Sequence, residues 1–158
     1  MNPIGIYFAF WEREWQGDYL AYVRKVKRLG FDILELGAGA LPDMTAAERR
    51  AVADAAREEG VRLTYCIGLP PQYDVSSPDE SVRLAGVRYV STLLDCIGEM
   101  GGGILGGIVY ACWPAAEMSI DRKAVMREKA LLSVRELAKR AEDRGVTYCL
   151  EIVNRFEQ

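Results

Sequence analysis

Short apolar runs alternate with amphipathic stretches along the whole chain, and that alternation limits the folds open to it. Residues 4–10 are apolar and aromatic, and 18–29 follow with Leu20, Val23, Val26 and Leu29 spaced three apart, the mark of one helix face. Residues 31–36 form a second apolar run, entered through Gly30 behind a basic last turn, as helix C-termini are. Thr45 and Glu48 make a capping box that opens a helix to about Glu59, closed by Gly60. Residues 61–67 are the third run. Ser77 as N-cap, with Pro78 at the first position, predicts a long helix carrying Val82, Leu93, Leu94 and Ile97 and ending in Gly101, Gly102 and Gly103. A fourth run covers 104–110, a charged helix 121–144 stops at Gly145, and a fifth run covers 146–153.

The order is βαβαβαβαβ with no Pro- or Ser-rich linker, so residues 1–158 are expected to form a single domain. Nearly continuous apolar strands between amphipathic helices imply a parallel sheet covered by helices. Two α/β architectures fit: an open doubly wound sheet, or about four and a half of the eight units of a (β/α)₈ barrel. Each unit takes roughly 30 residues. A complete barrel needs about 250, so 158 residues hold only part of one.

Several function classes are disfavoured. The formal charge of −3 and the lack of a basic stripe interleaved with aromatics argue against nucleic acid as a partner. Arg24, Lys25, Lys27 and Arg28 are more simply the solvated face of a helix. No apolar run approaches the roughly 20 residues of a membrane span, and the N-terminus lacks a basic segment followed by an apolar one. The expectation is a cytoplasmic protein with no membrane partner. Cys66, Cys96, Cys112 and Cys149 form no Cys-x-x-Cys pair and read as free thiols. The sequence has no histidine, which removes Ser-His-Asp and Cys-His catalysis and leaves a metal only oxygen ligands. Gly37 and Gly39 lack the third glycine and the helix start of a dinucleotide loop, and the glycines at 101–103, 106 and 107 precede or interrupt a strand; a nucleotide site is rejected.

In a parallel sheet the residues just past each strand converge on one rim. They are Tyr7, Phe8, Trp11 and Trp15 after the first strand, Glu35 after the second and Cys66, Ile67 and Gly68 after the third. Ile108 to Trp113 and Pro114 follow the fourth, and Glu151 to Glu157 the fifth. Aromatic side chains with a few polar groups suit a small-molecule pocket, though Tyr7 and Trp113 fit equally as aromatics capping a core. Glu151, in the apolar run Cys149, Leu150, Glu151, Ile152, Val153, is expected to be a buried carboxylate. Such a group needs an ion-pair partner or a metal.

At these residues the chain resembles the N-terminal part of the D-tagatose/D-psicose (allulose) 3-epimerases, which are xylose-isomerase-like TIM barrels. The resemblance runs in register through residues 30–35, 66–69, 73–74, 77–79, 81–83, 93–95 and 112–114 and then Leu150 to Glu157, of which the last stretch is the most specific. It implies that Glu151 is both a divalent-metal ligand and a catalytic carboxylate. It also implies that Tyr7, Cys66, Ile108, Trp113 and Glu157 touch the substrate, with Trp15 a weaker candidate. The implied reaction is metal-dependent (Mn²⁺ or Co²⁺) C3 epimerisation of a free ketohexose through an enediolate, in a homo-oligomer, dimer or tetramer. The family's remaining ligands and its second catalytic glutamate fall beyond the equivalent of Gln158, so these 158 residues alone are expected to be inactive. Two other readings stand beside it. One is a related enzyme on the same barrel, such as a hydroxypyruvate isomerase or inosose dehydratase. The other is a half-barrel serving as a folding or assembly module, with exposed strand edges that favour pairing.

Overall fold

Each apolar run becomes a parallel strand shorter than the run itself. The computed structural model describes residues 2–115 and 119–154. The strands are β1 (Gly5–Tyr7), β2 (Ile33–Gly37), β3 (Arg62–Cys66), β4 (Gly103–Gly106) and β5 (Val146–Tyr148). The helices between them are α1 (Tyr19–Arg28), α2 (Ala46–Glu59), α3 (Glu80–Glu99) and α4 (Ile120–Asp143). All neighbours pair in parallel in the order β1-β2-β3-β4-β5. A doubly wound sheet reverses its order at a switch point. This one never reverses, so it is the winding of a (β/α) barrel, open between β5 and β1 among the described residues.

The core lies between the sheet and its helices. Leu34, Leu36, Tyr65 and Leu105 are at most 1% exposed, and register sets Leu36, Tyr65 and Leu105 in one row across β2, β3 and β4. Val23 and Val26 of α1, Val52 of α2, Val90 and Leu94 of α3 and Leu137 of α4 pack in the same layer. No helix of the described residues is long and apolar enough to cross a membrane.

The helix ends are set locally. Thr45 and Glu48 exchange both bonds of the capping box, and Gly60 takes the left-handed conformation that ends α2. The start of α3 differs from expectation: Asp79, not Ser77, is its N-cap. A carboxylate is the stronger acceptor at a helix N-terminus, and Asp79 receives both the backbone N–H and the hydroxyl of Ser81 at 2.8 and 2.7 Å. Ser77 is buried two residues earlier, its hydroxyl accepting from the Asp79 N–H. Three of the strands, β1, β4 and β5, stop well short of their runs. After Tyr7 the chain tightens into a 3₁₀ turn, Phe8–Phe10. Past Gly106 the ladder breaks at Gly107, whose φ of +107° no other residue adopts easily, and whose Cβ would fall 2.3 Å from the Ile67 carbonyl oxygen. Beyond Tyr148 the fifth run is irregular, although Cys149 and Glu151 still donate to Leu105 and Gly107 on the β4 side.

Polar ties lock α3 to α4 and to the loop ahead of α3. The buried Arg83 guanidinium donates to the Ser133 hydroxyl, which donates to the Val75 carbonyl. Asp95 binds both Arg140 and Arg144. Gly86 lets α3 approach that loop; a Cβ there would lie 2.4 Å from the Tyr73 carbonyl oxygen. Gly86→Ala is therefore expected to destabilise the fold by about 1–3 kcal/mol in urea titration. Glu80 accepts from Arg83 and then Lys129, and these bonds hold its carboxyl at about 2, below the ordinary 4.5. The fold favours the ionised form, so this stabilisation is complete above about 4.5 and is lost as pH falls toward about 2. Glu80→Gln is expected to lower stability at neutral pH and to flatten the decline of unfolding free energy across that acid window, measured by urea unfolding at stepped pH.

Candidate functional site

The residues that alternate with the core row face the concave side of the sheet. Two layers form there. Tyr7, Glu35 and Thr64 are in register across β1, β2 and β3. Above them Gly37, Cys66 and Gly106 are in register across β2, β3 and β4. Cys66 is thus flanked by two glycines: a Cβ on Gly106 would lie 3.9 Å from that of Cys149, and one on Gly37 would press on Phe8 and the Tyr19 hydroxyl at 3.0 and 3.2 Å.

A cleft of about 1400 Å³ opens above these layers. Tyr7, Cys66, Ile108, Trp113 and Glu151 all line it, and so does the exposed Trp15, its ring 6.2 Å from that of Tyr7. The structure thus brings together five of the six site residues expected from sequence, contributed by four different strands. Glu157 lies outside the described residues. Trp113 is held from below: its N–H donates to the Leu69 carbonyl at 2.7 Å, Leu69 and Cys112 bridge the loops after β3 and β4, and Gly68 lies against the indole.

Glu151 departs from expectation. It is exposed rather than buried; among the described residues the segment after β5 has a neighbouring strand only on its β4 side. Its carboxylate needs no partner to meet a desolvation cost, and it remains positioned in the cleft through the bond from its N–H to Gly107. Phe8 and Trp11, expected at the rim, are elsewhere. The 3₁₀ turn sends Phe8 into the core against Tyr19, and Trp11 stacks on Tyr22 outside the cleft with the Lys25 ammonium 4.1 Å from its ring. Sequence reasoning missed Tyr89, which reaches the cleft from the middle of α3 and stacks on Tyr73 at 4.2 Å. A helix residue carries no strand-end signal; its spacing marked it only as part of α3.

The electrostatics are one-signed. Among the described residues the charged ones along the cleft are Glu14, Asp18, Asp43, Glu48 and Glu151, all acidic. Burial pushes the Cys66 thiol up to about 11, the Tyr7 hydroxyl beside it opposes that shift, and Glu35 adds to it. Burial, and then the contact with Cys66, likewise raises Tyr7. Both groups stay protonated at neutral pH and act as hydrogen-bonding groups, not nucleophiles. Among the described residues no three His, Cys, Asp or Glu side chains converge as a metal site. A Mn²⁺ or Co²⁺ ion takes several donors, and Glu151 supplies one, so these residues by themselves do not fit the ion.

Comparison with known proteins gives a consistent picture. Residues 23–158 match the family model described as xylose isomerase-like TIM barrel. The chain is 40% identical over 154 residues to a D-psicose 3-epimerase of Ruminiclostridium cellulolyticum, covering 97% of this chain and 52% of that protein. It is 32% identical to the D-psicose 3-epimerase of Agrobacterium fabrum, covering 97% and 53%. A crystal structure of D-psicose 3-epimerase with D-tagatose from Clostridium cellulolyticum superposes with a TM-score of 0.94 at 39% identity, over 99% of this chain and 54% of that one. The chain spans about half the length of the curated relatives it matches.

The geometry sets an order of thiol reactivity. Cys149 is exposed, whereas Cys66 is partly buried and holds its proton to about 11. Peptide-resolved alkylation at mildly alkaline pH is expected to modify Cys149 at least about tenfold faster than Cys66. Equal rates would show that the concave layer is open to solvent.

Proposed function

The chain belongs to the xylose isomerase-like TIM-barrel family, and we propose on that premise that it carries the sugar-facing half of a ketose 3-epimerase site. On this reading, residues 1–158 are the N-terminal part of a (β/α)₈ barrel domain. The observation that carries the reading is the convergence of Tyr7, Cys66, Ile108, Trp113 and Glu151 on one cleft, in a chain similar to proteins named D-psicose 3-epimerase. Its substrate is a free ketohexose such as D-tagatose or D-psicose/D-fructose. Among the described residues the cleft is acidic, with no Lys or Arg along it, which disfavours phosphate and suits neutral hydroxyl groups. Trp113 and Trp15 offer apolar faces to the sugar ring carbons, while Tyr7 and Cys66 offer hydrogen-bonding groups below. Glu157 is assigned as a further substrate contact.

The C3 proton of a ketose is acidified by the neighbouring C2 carbonyl. Glu151 is the base that removes it, leaving an enediolate, and a proton delivered to the opposite face gives the epimer. One carboxylate returns the proton only to the face it left, so inversion needs a second acid on the opposite face of the sugar, a role this reading gives to none of the described residues. The divalent metal of the resemblance would polarise the C2 oxygen when bound. Among the described residues Glu151 is the ligand that would hold it. A homo-oligomeric state, dimer or tetramer, and a cytoplasmic location belong to the same proposal.

Ketose binding to the 158-residue protein, followed by tryptophan fluorescence, is expected to be detectable for D-psicose, absent for a ketose phosphate, and weakened severalfold by Trp113→Ala. Incubation with D-fructose and Mn²⁺ is expected to yield no D-psicose. Tight binding of the phosphorylated sugar would overturn the assignment of substrate class, and clear epimerisation would overturn the need for a second acid.

A further inference from the structure

Ile108 and Glu151 follow different strands, yet one short turn sets both. Past β4 the chain closes a three-residue turn in which the Val109 N–H donates to the Gly107 carbonyl at 3.0 Å, with Ile108 at its apex. Each of the turn's three carbonyls is held from elsewhere in the fold. Gly107 also accepts the Glu151 N–H at 3.0 Å, Ile108 accepts the Leu69 N–H at 3.2 Å, and Val109 accepts the Tyr148 hydroxyl at 2.6 Å. The first two donors are backbone groups, which almost any residue supplies. The third is a side chain, so it is the one that residue identity decides.

Tyr148 does not line the cleft. Register sets it beside Leu105, in the core row, and its ring packs against the core. A phenylalanine would fill that space as well, and a hydroxyl taken out of water costs free energy unless it is bonded. Burial raises the Tyr148 hydroxyl above its ordinary value, so it keeps the proton it donates. Below the turn the same segment is tied to β4 by the Cys149 N–H, which donates to Leu105 at 2.8 Å. The Tyr148 hydroxyl reaches past that bond and joins the segment carrying Glu151 to the turn carrying Ile108. We infer that Tyr148 is a positioning residue: its hydroxyl holds the turn of residues 107–109, and through that turn fixes where Ile108 and Glu151 stand relative to one another in the cleft. Placement matters to a base, since a shift of about 1 Å can cost on the order of 10²-fold in rate.

The inference rests on the proposed function for the roles of Ile108 and Glu151, but its test uses no sugar, so either can fail alone. Amide hydrogen exchange and methyl spectra are recorded by NMR on the 158-residue protein and on its Tyr148→Phe variant. The Val109 and Glu151 amides, whose bonds end on Gly107, are expected to exchange at least about tenfold faster in the variant. The Ile108 methyl signals are expected to shift with them. The Cys149 amide and the methyl signals of Ile97, which is sealed in the core, are expected to keep the values of the unmodified protein. Val109 and Glu151 amides that exchange as before overturn the inference. Faster exchange shared by Cys149 overturns it too, since general loosening of β5 would then explain the change. The unmodified protein supplies a second test should the variant fold poorly. There the Tyr148 hydroxyl proton is expected as a separate, slowly exchanging resonance close in space to Val109, and a hydroxyl proton in free exchange with water overturns the inference.

Discussion

Leu34, Leu36, Tyr65 and Leu105 are sealed between the sheet and its helices, and that packing decides what every neighbouring strand residue faces. Side chains alternate along a strand with a period of two, so a slip of one residue would expose this row and bury Glu35, Thr64 and Cys66 against the helices. The parallel register carries the decision from β1 to β4. The concave layers and the strand residues at the base of the cleft, Tyr7 and Cys66, follow from which half of each alternation the core claims.

Loops then raise the cleft walls, and glycines make the close approaches possible. Gly107 lets the chain leave β4 against the Ile67 carbonyl, Gly68 admits the Trp113 indole, and Gly86 draws α3 onto the Tyr73 carbonyl. Arg83 and Ser133 secure the same loop from the helix side. The wall that carries Trp113 is therefore tied to the strands at one end and to the α3–α4 pair at the other. That is why a residue exposed to solvent can still occupy a defined place.

Much of this was legible in the residues. The capping box of Thr45 and Glu48, the stop at Gly60 and the five strand–helix units are local chemistry, and local chemistry does not need the rest of the fold. Tyr7, Cys66, Ile108, Trp113 and Glu151 share a cleft, as strand-end reasoning and the family resemblance both implied. The misses have specific causes. Asp79 took the cap from Ser77 because two acceptable caps stood two residues apart and only geometry ranks them. Phe8 and Trp11 left the rim when the chain tightened after Tyr7. Glu151 was expected to be buried because its neighbours are apolar, but among the described residues only β4 flanks that segment, and the side chain is left exposed.

The sequence by itself determined the unit order, the helix caps, the absence of histidine chemistry and the family, since each rests on residue identity and short-range spacing. The tertiary structure decided between the two sheet architectures through an order that never reverses, and it set which alternate residues face inward. It also made Glu35 a neighbour of Cys66, Thr64 and Tyr7, and brought Tyr89 to the cleft from a helix. These are long-range facts: they arise from strand register and from close backbone approaches between segments far apart in the chain, which no spacing along a single strand encodes.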